Sequence, residues 1–105
     1  MQVINSGTVV ASGRNGTMPS CAFAGIAVLP SGRWLCGFRT ARTKASVGEQ
    51  TSMLTWSDDE GRTWSKPVEP FHPPVLDGRP GRFRAAMITA LGGNNVLATL
   101  YWVDA

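Results

Sequence analysis

Arginine supplies the densest potential chemistry in this sequence of 105 residues. Arg39 and Arg42 share one polar stretch with Lys44, and Arg79, Arg82 and Arg84 crowd the far side of a proline-rich segment. A guanidinium is a planar fork of donors that grips a carboxylate through two parallel hydrogen bonds, so arginines gathered around one concavity would recognise a carboxylated ligand. The plainer reading of the same residues is a set of solvated loop charges. Acids concentrate instead in Ser57-Asp58-Asp59-Glu60-Gly61-Arg62-Thr63-Trp64. There a short carboxylate at Asp59 can accept N–H groups of its own turn, Gly61 can take a positive φ, and Ser57 and Thr63 offer hydroxyls where flanking strands close. That spacing points to a self-satisfying turn, pinned by Trp64, rather than to an acid/base pair.

Other reactive side chains are isolated. His72 has no second His or Cys at ligand spacing, so no metal or cofactor is expected. Asn15-Gly16-Thr17 matches a glycosylation sequon but, with no signal peptide in view, reads as a plain turn, and the spacing of Gly7, Gly13 and Gly16 makes no phosphate loop. Tyr101 lies in a strand-like run and is expected in the core. If Pro30-Ser31-Gly32-Arg33 closes a hairpin, Cys36 falls opposite about Ala27, leaving Cys21 roughly 20 Å along the partner strand at ~3.3 Å per residue. Both cysteines therefore read as small buried thiols.

Strands must position these groups. Gln2–Ser12 alternates loosely and suggests one strand. Cys21–Leu29 and Trp34–Arg39 flank the Pro30–Arg33 turn as a hairpin, and Thr40–Gln50 reads as a loop. Thr51–Trp56 and Trp64–Glu69 flank the acidic turn as third and fourth strands. Pro70, Pro73, Pro74 and Pro80 make the next segment a connection. Arg82–Leu91 and Val96–Val103 then flank Gly92-Gly93-Asn94-Asn95 and repeat the first hairpin at an offset of 62, with Ala86 on Ala24, Ile88 on Ile26, Leu91 on Leu29 and Leu97 on Leu35.

Hydrophobic content of 43 % with 12 Gly and 7 Pro fits a turn-rich all-β chain and argues against disorder. The charge of +3 is mild and scattered, so no nucleic-acid partner is expected. No stretch approaches the ~18 apolar residues of a membrane helix, and no basic or apolar leader opens the chain. Neither a membrane nor an export signal is expected, and the compartment stays open.

Ser57 to Trp64 reads Ser-x-Asp-x-Gly-x-Thr-Trp, which resembles the Asp box, or BNR repeat, of the sialidase (neuraminidase) superfamily. The resemblance implies an antiparallel β-propeller, with the box between the third and fourth strands of a blade. At about 40 to 50 residues per blade, the chain would hold an N-terminal fragment of a six-bladed propeller. Its expected parts are an outer strand at 1–12, a complete blade at 21–69 and the first half of the next blade at 82–105. Open blade edges would make self-association a liability.

In such a meander the Asp box lies at one end, and sialidases place their active site at the other. The site end would collect Arg14, Arg39, Arg42, Lys44, Arg79, Arg82 and Arg84 against Glu49, Asp77 and Asp104. The resemblance implies hydrolysis of a terminal acidic sugar without metal or cofactor, by an Arg triad, an Asp acid/base and a Tyr–Glu nucleophile. Ala22 stands where the first-blade Arg belongs, and Thr40 to Gly48 holds no carboxylate. Phe83-Arg84-Ala85-Ala86-Met87 restores aromatic-Arg in the second repeat, which makes Arg84, with Arg39 and Arg42, the expected substrate-binding set. No catalytic residue is assignable, and these residues are expected to be inactive in isolation. The alternative is a non-catalytic Asp-box propeller that binds glycan or protein.

Overall fold

The computed structural model describes residues 2–45 and 49–105. They are all-β, with antiparallel pairing throughout and no helix long and apolar enough to cross a membrane. The strands are β1 (Ser20–Val28), β2 (Trp34–Ala41), β3 (Gln50–Ser57), β4 (Gly81–Gly92) and β5 (Asn95–Asp104). They form a three-stranded sheet in the order β1-β2-β3 and a separate β4-β5 hairpin, and neither closes on itself.

Turn chemistry explains both hairpins. Between β1 and β2, Gly32 N–H donates to Leu29 O at 2.9 Å and Leu29 N–H to Arg33 O at 2.8 Å, while Gly32 takes φ +94°. This is a type I turn closed by a left-handed glycine, with Pro30 at the position its fixed φ favours. The three-residue loop puts Cys36 opposite Ile26, one residue from the expected Ala27, and Cys21 opposite Thr40. Both thiols are free; Cys36 is buried and Cys21 only half-buried. Between β4 and β5, Gly92 pairs with Asn95 across Gly93-Asn94.

Each hairpin carries a bulge of the same sense. In β1, Phe23 and Ala24 stand against Phe38 alone, between the pairs Ala22–Arg39 and Gly25–Gly37. In β4, Arg84 and Ala85 stand against Tyr101, between Phe83–Trp102 and Ala86–Leu100. The two bulges lie within one residue of equivalence at the offset of 62, so the internal repeat extends from sequence to backbone geometry.

Strand β4 lies across β1, β2 and β3. Gly37 permits the approach: a Cβ there would come within 2.7 Å of Ile88 Cδ1 and 3.3 Å of Ala86 O. Ala86 is fully buried in this contact. The opposite face of the three-stranded sheet carries Cys36, Phe38 and Met53, covered by Val9, Val10, Cys21 and Trp64.

Three expectations need correction. Residues 2–12 form no strand; the adjacent Val9 and Val10 both pack on the core, whereas a pleated strand would send them to opposite faces. The expected fourth strand shrinks to a single bridge, Val68 to Leu54, because Pro67 has no N–H to continue the ladder. Ser65 replaces part of that ladder, donating its N–H to Trp56 O at 2.8 Å and accepting from Trp56 N–H on Oγ at 3.0 Å. Tyr101 is 61 % exposed on the outward face of β5 rather than in the core.

The proline-rich connection contains a tight turn of its own. Asp77 and Gly78 both take positive φ, and Leu76 and Arg79 exchange two backbone hydrogen bonds around them. Trp102 then fixes the connection, donating its indole N–H to Pro74 O at 2.9 Å with its ring over Gly81, where no side chain would fit.

Candidate functional site at the basic end

The acidic turn is closed by its own side chains. Ser57 Oγ donates to Asp59 Oδ1 at 2.7 Å and accepts from Gly61 N–H at 2.8 Å. Asp59 also accepts from Thr63 N–H at 2.8 Å and from the Thr63 hydroxyl at 2.5 Å. These donors, those of Thr63 first, hold the Asp59 carboxyl down to about 2. A carboxylate so fixed is no acid/base catalyst near neutrality. Gly61, at φ +82°, lies against the Trp34 ring, and its carbonyl accepts from Trp64 Nε1–H at 3.2 Å.

Two of the other charges at this end pair with each other on the surface. Arg33 clamps Asp58 with two hydrogen bonds of 2.8 and 2.9 Å and lies 5.6 Å above the Trp56 ring. A cleft of about 950 Å³ opens beside them between the two hairpin turns, lined by residues that include Val28, Trp34, Asp58, Asn94 and Val96. Its Arg33 is already committed to Asp58, so the cleft offers less to an anion than the far end of the strands does.

At that far end the three expected arginines have three different fates. Arg39 is 1 % exposed: Nε donates to Gln50 Oε1 at 2.8 Å, Nη1 donates to Lys44 O at 2.9 Å, and the Phe23 ring covers the guanidinium at 5.7 Å. Burial, and then the charge of Arg84, lower its pKa, but an arginine stays protonated. It is a structural cation rather than a direct ligand. Arg42 is exposed and bound to Glu49, whose carboxyl it holds below the ordinary range. Arg84, half-buried in the β4 bulge, makes no hydrogen bond or ion pair with any described residue.

Backbone contacts bring these groups together. Ser52, the cross-strand partner of Arg39, donates from Oγ to Phe83 O at 3.4 Å, which sets the following residue, Arg84, over the Arg39 region. Arg79 is committed to Asp104 at 2.5 Å. Arg14 lies in an exposed turn stabilised by Thr17, and Lys44 contributes its carbonyl to Arg39. His72 is exposed, and among the described residues no three His, Cys, Asp or Glu side chains group as metal ligands. Of the loop expected at Thr40–Gln50, residues 46–48 lie outside the described residues, as does residue 1 of the expected outer strand.

Two participants escaped the sequence reading. Gln50 was part of an anonymous polar loop, yet it begins β3 and fixes Arg39. Phe23 sat in an apolar run with no mark of its bulge or of its φ of +56°. Compared with known proteins, the chain matches no family model, no curated protein and no solved structure.

Proposed function

We propose that these residues belong to a sialidase-like Asp-box propeller and that its basic end receives the carboxylate of an acidic sugar, with Arg84 as the ligand. On this reading β1–β3 with the Leu54–Val68 bridge are one blade and β4–β5 begin the next. The complete hydrogen-bonded turn at Ser57–Trp64 and the repeated bulge support the blade reading. One observation carries the ligand reading: Arg84 is half-buried beside a buried arginine and has no described partner for its donors. Arg39 supports the site from behind, and Arg42 marks its rim. Carbohydrate is the proposed partner; the open edges of β1 and β5 are the proposed route to self-association.

Binding without turnover is the second reading, and the carboxylates favour it for these residues. Glu49 is held by Arg42 and Asp104 by Arg79, so neither stands ready as an acid/base at the basic end. An NMR titration with a methyl sialoside tests recognition. Arg84→Ala is expected to weaken binding about ten- to a hundredfold, the worth of a charge-assisted pair. Unchanged affinity in that variant refutes the assignment. A fluorogenic sialoside is expected to show no turnover, and Arg84-dependent release would overturn the binding-only role of these residues.

A further inference from the structure

Phe23 combines two properties that conflict in a purely structural residue. Its φ of +56° places a bulky side chain in the left-handed region, a genuine outlier for a residue of this size. Burial does not compensate, because the residue remains 44 % exposed. One side of the ring rests on the buried Arg39 guanidinium, and the residue remains open to solvent. The bulge is what aims it there, since two residues of β1 share one partner on β2.

The second bulge brings a complementary group. Arg84 and Ala85 occupy it in β4, which crosses β1, and the contact from Ser52 Oγ to Phe83 O anchors its start over the strand position of Arg39. Two bulges of one repeat thus direct an aromatic ring, and a guanidinium with no partner among the described residues, to the same buried arginine. A pyranose carrying a carboxylate presents these two needs together: an apolar C–H face for an aromatic platform and an anion for a guanidinium fork.

We infer that Phe23 is a sugar-stacking platform, holding the ring face of an acidic pyranose while Arg84 holds its carboxylate. This rests on the carbohydrate-binding reading above and adds a residue that the resemblance does not supply, because Phe23 lies in the repeat whose Arg position is occupied by Ala22. The left-handed backbone is the cost of laying the ring on Arg39 while leaving the residue open to solvent.

The test titrates methyl sialoside into the full chain and into Phe23→Asn, Phe23→Trp and Arg84→Ala, following affinity and the chemical shifts of the sugar ring protons. Asn accepts the left-handed region and has no ring, so Phe23→Asn is expected to stay folded, bind roughly three- to tenfold more weakly and lose the upfield ring-current shift of the sugar protons. Phe23→Trp is expected to keep both affinity and shift, which maintains the test if the Asn variant unfolds. Wild-type affinity and shift in Phe23→Asn, with binding lost in Arg84→Ala, would overturn the platform and leave the carbohydrate reading standing. Loss of both in Phe23→Trp also overturns it. Absence of binding by the wild-type chain would overturn both readings together.

Discussion

Gly61→Ala isolates the contact on which the acidic turn depends. Gly61 sits at φ +82°, and a Cβ there would lie 2.8 Å from Trp34 Cζ3 and 3.2 Å from Trp34 Cε3, with Trp64 Cζ2 at 3.7 Å. Two penalties follow. A left-handed alanine costs about 1–2 kcal/mol. Forcing a methyl group against a packed ring adds about 1–3 kcal/mol, because Trp34 is held at the start of β2 opposite both Val28 and Ser57. The total, about 2–5 kcal/mol, is a large part of the stability of a small domain. At about 2.1 cal/mol/K of unfolding entropy per residue, it lowers the melting temperature by roughly 10–20 °C. Gly16→Ala is the internal control: Gly16 also has φ +82°, but a Cβ there meets nothing within 4 Å. It is expected to show the backbone penalty alone, roughly 5–10 °C. Thermal unfolding followed by circular dichroism measures both. Equal shifts for the two variants would refute the Trp34–Gly61 packing, as would failure of Trp34→Leu to relieve part of the Gly61→Ala defect in a double-mutant cycle.

Two further outcomes follow from the titration of single groups. Asp59 has a folded pKa of about 2 against an ordinary 3.8, so its contribution to stability is complete above the ordinary value and is lost as pH falls toward 2. Melting temperature measured across that acid range is expected to fall, and Asp59→Asn is expected to be less stable at neutral pH with part of this fall removed; an identical pH profile would contradict the hydrogen-bonded turn. Burial pushes the Cys36 thiol pKa up, whereas Cys21 is partly accessible, so a thiol-reactive disulfide reagent is expected to modify Cys21 first and Cys36 only on unfolding.

The sequence announced those elements whose determinants lie close together along the chain. Pro30-Ser31-Gly32 places a type I turn, Gly92-Gly93 places the second hairpin, and the acidic turn satisfies itself within eight residues, so each was legible. The failures have equally specific causes. Val9 and Val10 resemble a strand by composition, but a strand needs a ladder partner, and the core takes both side chains instead. Pro67 removes the donor that a fourth strand needs. Asp77-Gly78 is a strong turn signal that was hidden among prolines.

The basic end was legible as a collection of charges but not as a site, because its character depends on which arginines are neutralised. Arg39, Arg42 and Arg84 are alike in sequence, and only long-range geometry separates them. Gln50, arriving from β3, and the Lys44 carbonyl consume donors of Arg39, while Glu49 holds Arg42. Arg84 escapes such pairing because β4 comes from beyond the proline-rich connection and a bulge offsets it from the register of its neighbours. A bulge adds one residue to one strand and leaves no compositional trace, yet here one bulge carries Arg84 and the other carries the Phe23 ring that covers Arg39. The acidic turn and the basic end therefore obey different rules. The turn is written into eight consecutive residues, while the site is made by two irregularities about sixty residues apart that agree only after the second hairpin has packed on the first sheet. On the proposed reading, substitutions that straighten either bulge are expected to weaken sialoside binding in the NMR titration while leaving the acidic turn intact.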